Sequence, residues 1–179
     1  MKRSLFVTGC MVAIVFLMAF DTATPAQNVN PIIGTWKQNI EKSIYAPGPP
    51  PPKGSGAVRQ YAAGTDGSIV AITFNIDPAG LPSLGAISAA NYDSREYAQH
   101  TVATLATSLG SHISPKIERT IAYKPIDPYT VEITQRQDGK VVASSTRTIT
   151  RDGKTMTDRS DYMDAAGAHV TNVLVFEKQ

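Results

Sequence analysis

An arginine among apolar side chains is the clearest chemical signal in the sequence. In an extended strand, Arg119 lies on the same face as Ile117, Ile121 and Tyr123. A guanidinium in apolar surroundings needs a partner, either an acid of the protein or the carboxylate of a ligand, which its planar fork matches. Both alternatives are open. The second makes Arg119 and Tyr123 predicted binding residues for an elongated amphipathic acid.

A second arginine has a similar setting, because Arg147 lies on one face with Val141, Ala143 and Ile149. We assign Arg147 a structural role, in which it stacks over an aromatic ring such as that of Trp36 or pairs with a neighbouring acid. The pattern by itself favours neither of these partners.

Two strand-like stretches supply apolar side chains that would hold the tail of such a ligand. Val70, Ile72 and Phe74 alternate with smaller or polar residues, which is the most one-sided pattern in the chain. Val131 and Ile133 alternate in the same way further along the chain. We therefore predict that these five residues face the interior of the fold and contact the ligand.

No group of residues indicates a metal centre or a catalytic site. The histidines, His100, His112 and His169, have no second ligand two or four residues away on a shared face. Asp158 and Asp161 have opposite parity in a strand, so they would face opposite sides. The sequence predicts no metal and no cofactor. It leaves an isomerase or cyclase that uses scattered polar groups as the enzymatic alternative.

The C-terminal half contains the elements that must position these residues. Strand-like runs at 117–124, 129–137, 140–150, 154–163 and 168–177 are separated by turn residues, among them two Asp-Gly pairs. Asp and Gly tolerate the positive φ angles that tight hairpins require, so this half is predicted to be an antiparallel meander. In the N-terminal half, the proline-rich residues 47–56 are predicted to form a stiff surface connection.

One segment interrupts this pattern with helical spacing. Val102, Leu105, Ala106 and Leu109 recur at the period of a short helix, and Gly110 follows as a stop signal. The helix could close one mouth of a barrel as a lid, or it could pack on the outer surface. Its narrow apolar stripe leaves both interpretations open.

The N-terminal residues resemble a secretory signal peptide. Lys2 and Arg3 precede an apolar run that ends at Phe20, and small residues follow up to Ala26. We predict cleavage after Ala26, giving a signal peptide of residues 1–26 and one domain of residues 27–179. The apolar run is short for a membrane anchor, so no stable membrane insertion is expected after cleavage.

Composition narrows the environment and the partners of this domain. The single cysteine, Cys10, falls within the predicted signal peptide, so no disulfide can stabilise the domain. The full chain has 17 basic and 15 acidic residues, of which Lys2, Arg3 and Asp21 fall in the predicted signal peptide, so the charges of the domain are nearly balanced and are spread along the sequence. We therefore expect neither nucleic acid nor an anionic membrane surface as a partner. The predicted location is periplasmic or secreted.

Three blocks of sequence resemble a known family. They are Gly34-Thr35-Trp36-Lys37, residues 123–132 and the Asp-Gly-Lys-Thr-Met-Thr hairpin at 152–157. In this order they are similar to small exported bacterial lipocalin-like proteins, most of which have no assigned function. The resemblance implies a β-barrel in which Trp36 plugs one end and Gly34 permits a close crossing. It carries over no binding or catalytic residue.

These observations predict an all-β protein, a single antiparallel up-and-down β-barrel of about eight to ten strands with one short helix. The expected function is binding of a small apolar or amphipathic molecule, without catalysis. The alternatives are a barrel enzyme acting on such a molecule and a ligand-free structural protein of the cell envelope. An enzyme needs two converging titratable groups, a binder needs a cavity of about 300 Å³ or more, and a structural barrel is filled by side chains.

Overall fold

The computed structural model describes residues 30–101, 118–163 and 167–179. Ten strands pair with their neighbours in chain order, and β1 pairs with β10, so the sheet closes into a barrel. All of the pairs are antiparallel, which confirms the predicted up-and-down β-barrel. The strands are β1 (Gly34–Ala46), β2 (Gly56–Ala63), β3 (Ile69–Ile76), β4 (Pro82–Ala90), β5 (Glu96–Thr101), β6 (Arg119–Asp127), β7 (Thr130–Gln137), β8 (Lys140–Ile149), β9 (Thr155–Met163) and β10 (His169–Lys178).

The predicted helix over residues 102–109 lies outside the described residues, so it stays a prediction. Among the residues that are described, every regular element is a strand. In this part of the chain, the structure contains no helix of the length and apolarity needed to cross a membrane.

Turn chemistry explains how consecutive strands reverse direction. Between β7 and β8, Asp138 and Gly139 have φ angles of 50° and 76°, the left-handed conformation that a two-residue hairpin turn requires. Gln137 pairs directly with Lys140 across this turn. The Asp-Gly pair therefore sets the register next to the turn, and a bulge between Gln135 and Arg136 shifts that register by one residue before Arg147 is reached.

A compact apolar core closes one end of the barrel. Trp36, Met156 and Phe176 are fully buried there, together with Ile32 from the segment before β1. The indole Nε1 of Trp36 donates a hydrogen bond to the carbonyl oxygen of Ile32 at 2.7 Å. We call this the tryptophan end. The opposite end carries the β1–β2 connection, the last residues of β5 and the first residues of β6.

A close crossing over the tryptophan depends on Gly34. A Cβ atom at Gly34 would lie 2.7 Å from Cε of Lys178. The space left by the missing side chain lets Lys178 extend across the barrel end, where its ammonium lies 5.1 Å from the centre of the Trp36 ring. The cation over Trp36 is therefore a lysine, whereas Arg147 pairs with an acid, Asp158.

Replacing the tryptophan tests whether this end stabilises the barrel. We expect Trp36→Ala to lower the free energy of unfolding by about 3 to 5 kcal/mol, because it removes a fully buried ring and leaves a cavity. Urea unfolding followed by circular dichroism measures the loss. Val142→Ala, at an exposed position of β8, serves as the control and should change stability by less than about 0.5 kcal/mol. Equal stability of the two variants would show that the ring does not hold the end together.

Candidate functional site

The barrel encloses a cavity of about 250 Å³. It lies between the core at the tryptophan end and the opposite end of the barrel, and every strand except β1 contributes to its wall. The wall is lined by Arg59, Tyr61, Ala71, Thr73, Ala86, Ser88, Gln99, Ile121, Tyr123, Ile133, Gln135, Ala143, Ser145, Arg147, Asp158, Ser160, Tyr162 and Leu174. Small residues line much of β3, β4 and β8, and this leaves the barrel hollow.

Three charged side chains meet at the wall of this cavity. Asp158 and Arg147 are both 5% exposed, and they form a bidentate pair, with Nε donating to Oδ1 at 2.7 Å and Nη2 donating to Oδ2 at 2.8 Å. Arg59 donates to the same carboxylate through its Nη1. Two cations therefore share one anion, so this cluster carries a net positive charge.

Aromatic rings hold the two guanidiniums in place. The guanidinium of Arg59 lies 4.2 Å from the ring centre of Phe176, and that of Arg147 lies 5.2 Å from the ring centre of Tyr61. Both distances are within the range of cation–π attraction. The arginines are thus fixed by a ring as well as by the shared carboxylate, and the site is organised before any ligand enters.

The charge state of the cluster follows from burial and pairing. Burial alone would raise the pKa of Asp158, but the charges and hydrogen bonds of Arg147 and Arg59 outweigh it and hold that pKa well below its usual value. Burial raises the pKa of the Tyr123 phenol. At neutral pH the cavity therefore presents a fixed carboxylate, two guanidinium cations and the neutral phenol of Tyr123.

This arrangement is poorly suited to proton transfer. Among the described residues that line the cavity, Asp158 is the only one with a carboxylate, and both of its oxygens accept hydrogen bonds from arginine. An acid or base that works near neutral pH needs a pKa near that pH, which Asp158 lacks. His100 and His169 are exposed, and His112 lies outside the described residues. Within the described ranges, no group of three or more His, Cys, Asp or Glu side chains could hold a metal ion.

Three of the predicted binding residues lie in the interior. Tyr123 and Ile133 are buried and line the cavity. Val131 is also buried, but it lines a smaller cavity at the tryptophan end. Arg119 shares a face with Ile121 and Tyr123, but it starts β6 at the opposite end and donates to Oε1 of Gln137 at 2.8 Å. Arg119 is not part of the cavity wall.

The predicted apolar row of β3 lies on the other face of the strand. Ala71 and Thr73 line the cavity, so alternation places Val70, Ile72 and Phe74 on the outer side, where they are half-buried. A ligand in the cavity would therefore contact Ala71 and Thr73 instead. The two rows alternate equally well in sequence, and the hollow interior accommodates the row of smaller side chains.

Two residues of the charged cluster were not predicted, Arg59 and Asp158. Asp158 pairs directly with Arg147 in the β8–β9 register, and Ile149 pairs with Met156 in the same hairpin. Counting outward from the turn at Asp152 and Gly153 would have matched Arg147 with Asp158. No comparable signal exists for Arg59, because Arg59 and the carboxylate that it contacts are 99 positions apart in the sequence.

Comparison with known proteins adds a similarity of shape. No protein-family model matches the chain, and no curated protein matches it. Among solved structures, the chain is similar to that of EF1p2_mFAP2b bound to DFHBI, with 12% sequence identity and a TM-score of 0.43. The match covers 83% of this chain and 94% of that chain. The strand pairing and the cavity, described above from the chain itself, define a closed ten-stranded barrel with a charged and hollow interior.

Neutralising the shared carboxylate tests the cluster. We expect Asp158→Asn to lower the free energy of unfolding by about 3 to 5 kcal/mol, because two buried or partly buried guanidiniums then lose their counter-charge. Urea unfolding at neutral pH measures the effect. Asp161→Asn, on the same strand but exposed, is the matched control and should change stability far less, because solvent screens its charge. A similar loss in both variants would contradict a central role for Asp158.

The same variant should also change the response to acid. An unfolded aspartate has a pKa of about 3.9, and the folded protein lowers the pKa of Asp158 below this value. The stabilisation by Asp158 is therefore complete above about pH 5 and is lost as the pH falls through the unfolded pKa towards the folded pKa. We expect Asp158→Asn to lose less stability than the wild type between about pH 5 and pH 2.

Proposed function

We propose that the protein binds a compact amphipathic acid inside its barrel. The observation that carries this proposal is the cavity of about 250 Å³ whose wall contains two arginines and one carboxylate. The excess positive charge lies in a partly dehydrated interior, where a charge attracts an opposite charge more strongly than it does in water. A ligand anion would neutralise the cluster.

Arg59 is the residue best placed to contact the acid. Arg147 commits one edge of its guanidinium to Asp158, whereas Arg59 gives the carboxylate a single nitrogen, Nη1. Within the described residues, Nε and Nη2 of Arg59 make no hydrogen bond. An arginine whose N–H groups are not all engaged in hydrogen bonds can use the remaining ones to bind a carboxylate through charge-assisted hydrogen bonds. This proposal replaces Arg119, which lies beyond the cavity wall, as the ligand-binding arginine.

The remaining wall favours a ligand with both polar and apolar parts. Ile121, Ile133 and Leu174 offer apolar contacts, while Ser88, Gln135 and other polar groups offer hydrogen bonds. The cavity volume equals that of about eight water molecules at about 30 Å³ each. A substituted single ring or a short acyl chain fits this space. A long fatty acid would extend out of the barrel, so the ligand is compact instead of elongated.

Binding fits the site better than either alternative function does. A barrel enzyme would need two titratable groups that converge and exchange protons near neutral pH, but Asp158 is held ionised and the phenol of Tyr123 is held neutral. A purely structural barrel would be filled by its own side chains, whereas this one leaves a cavity of about 250 Å³, which is smaller than the expected 300 Å³ or so and restricts the ligand to a compact molecule. The hollow, charged interior supports a binding protein.

The acid can be tested with matched ligands. We expect trans-cinnamate and octanoate to bind at least about tenfold more tightly than their primary amides, a difference of about 1.4 kcal/mol. Arg59→Gln should weaken binding of the acids about tenfold and leave the amides unchanged. Arg119→Gln is the matched control and should change neither. Isothermal titration calorimetry measures all of these affinities, and circular dichroism checks that each variant is folded.

Three outcomes of this titration would decide against the proposal. Equal affinity for acids and amides would show that the interior charge does not select the ligand. A larger loss in Arg119→Gln than in Arg59→Gln would move the binding arginine back to the rim of the barrel. If neither acids nor amides bind, the ligand-free structural alternative takes precedence.

We also propose that the protein acts outside the cytoplasm, in the periplasm or as a secreted protein, because residues 1–26 have the pattern of a signal peptide. On expression of the full chain in a bacterial host, the exported protein should begin at Gln27, as measured by intact mass and N-terminal sequencing. Ala26→Leu should block this cleavage, because the position before the cut requires a small residue. An uncleaved chain in the cytoplasm would contradict export.

A further inference from the structure

A second and smaller cavity lies on the other side of Arg147, towards the tryptophan end. Its volume is about 190 Å³, and its wall includes Ile32 from the segment before β1, Tyr92 from the β4–β5 connection, and Val131 and Ile149 from the ends of β7 and β8. Arg147 is the only described residue that lines both cavities. Its guanidinium therefore forms part of the partition between them.

The two edges of this guanidinium are used differently. Nε and Nη2 share one edge, and both donate to Asp158, which lines the first cavity and not the second. Nη1 lies on the remaining edge, and it is buried without a hydrogen-bond partner. A buried guanidinium nitrogen without an acceptor is rare in folded proteins.

A second unpartnered group lies close to this nitrogen. The hydroxyl of Tyr92 is buried and has no hydrogen-bond partner, and Tyr92 lines the second cavity only. Burial raises the pKa of this phenol, while the Arg147 guanidinium acts in the opposite direction through its charge and through a side-chain contact. No hydrogen bond with good geometry joins them. Together they offer N–H and O–H donors at one wall of the cavity.

The other residues that line the cavity indicate which kind of hydrogen-bond acceptor would fit these donors. Ile32, Val131 and Ile149 make the cavity largely apolar. Arg147 already forms a bidentate ion pair with Asp158, and the exposed carboxylate of Asp127, whose pKa is lowered by hydrogen bonds, lines the same cavity and would repel a second anion. A second anion would therefore gain little here. A neutral acceptor would satisfy the donors without adding charge.

We infer that this second cavity binds a small neutral carbonyl compound. The carbonyl oxygen accepts hydrogen bonds from Nη1 of Arg147 and from the hydroxyl of Tyr92, and the apolar body of the ligand packs on Ile32, Val131 and Ile149. The volume equals that of about six water molecules, which suits a ligand of one ring. This site is separate from the acid site proposed above and does not depend on it.

Methyl NMR spectra can distinguish the two cavities within one sample. Ile32 and Ile149 line the second cavity only, and Ile121 and Ile133 line the first cavity only. In protein labelled at isoleucine methyl groups, acetophenone should shift Ile32 and Ile149 with a saturable dose response and leave Ile121 and Ile133 in place. Ethylbenzene has nearly the same shape but no carbonyl, and it should bind about tenfold more weakly, as expected for the loss of about 1.4 kcal/mol.

Matched variants test the donors. Tyr92→Phe keeps the ring and removes the hydroxyl, so acetophenone should bind about tenfold more weakly, a change of about 1.4 kcal/mol, with ethylbenzene unchanged. Tyr162→Phe removes a hydroxyl at the first cavity and should leave acetophenone binding as it is. Equal binding of the ketone and the hydrocarbon, shifts confined to Ile121 and Ile133, or no effect of Tyr92→Phe would each overturn the proposal. The absence of saturable shifts would mean that only water occupies the cavity.

Discussion

The buried carboxylate of Asp158 is the group on which the interior of this barrel depends. It accepts hydrogen bonds from Arg147 on the adjacent strand β8 and from Arg59 on β2, which is not a neighbour of β9 in the sheet. The contact with Arg59 therefore crosses the barrel instead of following its wall. Because removing one partner of a buried ion cluster leaves an uncompensated charge, this contact constrains how the barrel closes.

The same cluster also organises the space inside the barrel. Arg147 separates two cavities. Each arginine retains hydrogen-bond donors after pairing with Asp158: Arg59, which lines the first cavity, uses only Nη1, and Arg147 has a buried Nη1 without a partner. Pairing holds the carboxylate ionised, so the site has fixed charges and few groups that can exchange protons. Such a site recognises a ligand by charge and hydrogen bonding and contributes little to proton-transfer chemistry.

Local patterns accounted for the parts of the fold that short-range physics controls. Asp138 and Gly139 adopt the positive φ angles of a tight hairpin, as their residue types predict. Register counted from the turn at Asp152 and Gly153 pairs Arg147 with Asp158, so two of the three members of the charged cluster could be predicted from the hairpin alone. Arg59 could not, because its contact depends on how strands far apart in sequence face each other across the closed barrel.

The sequence by itself determined the strands, their antiparallel order and the general character of a barrel, because alternation and turn residues act over a few positions. It did not determine which face of β3 is inside. Two rows of side chains alternate equally well along this strand, one with Val70, Ile72 and Phe74 and the other with Ala71 and Thr73. Only closure of the barrel places the row of smaller side chains at the cavity. Closure likewise decided which arginine faces the interior space. The side of a strand and the partner of a charge depend on the whole sheet, so the tertiary structure alone decided them.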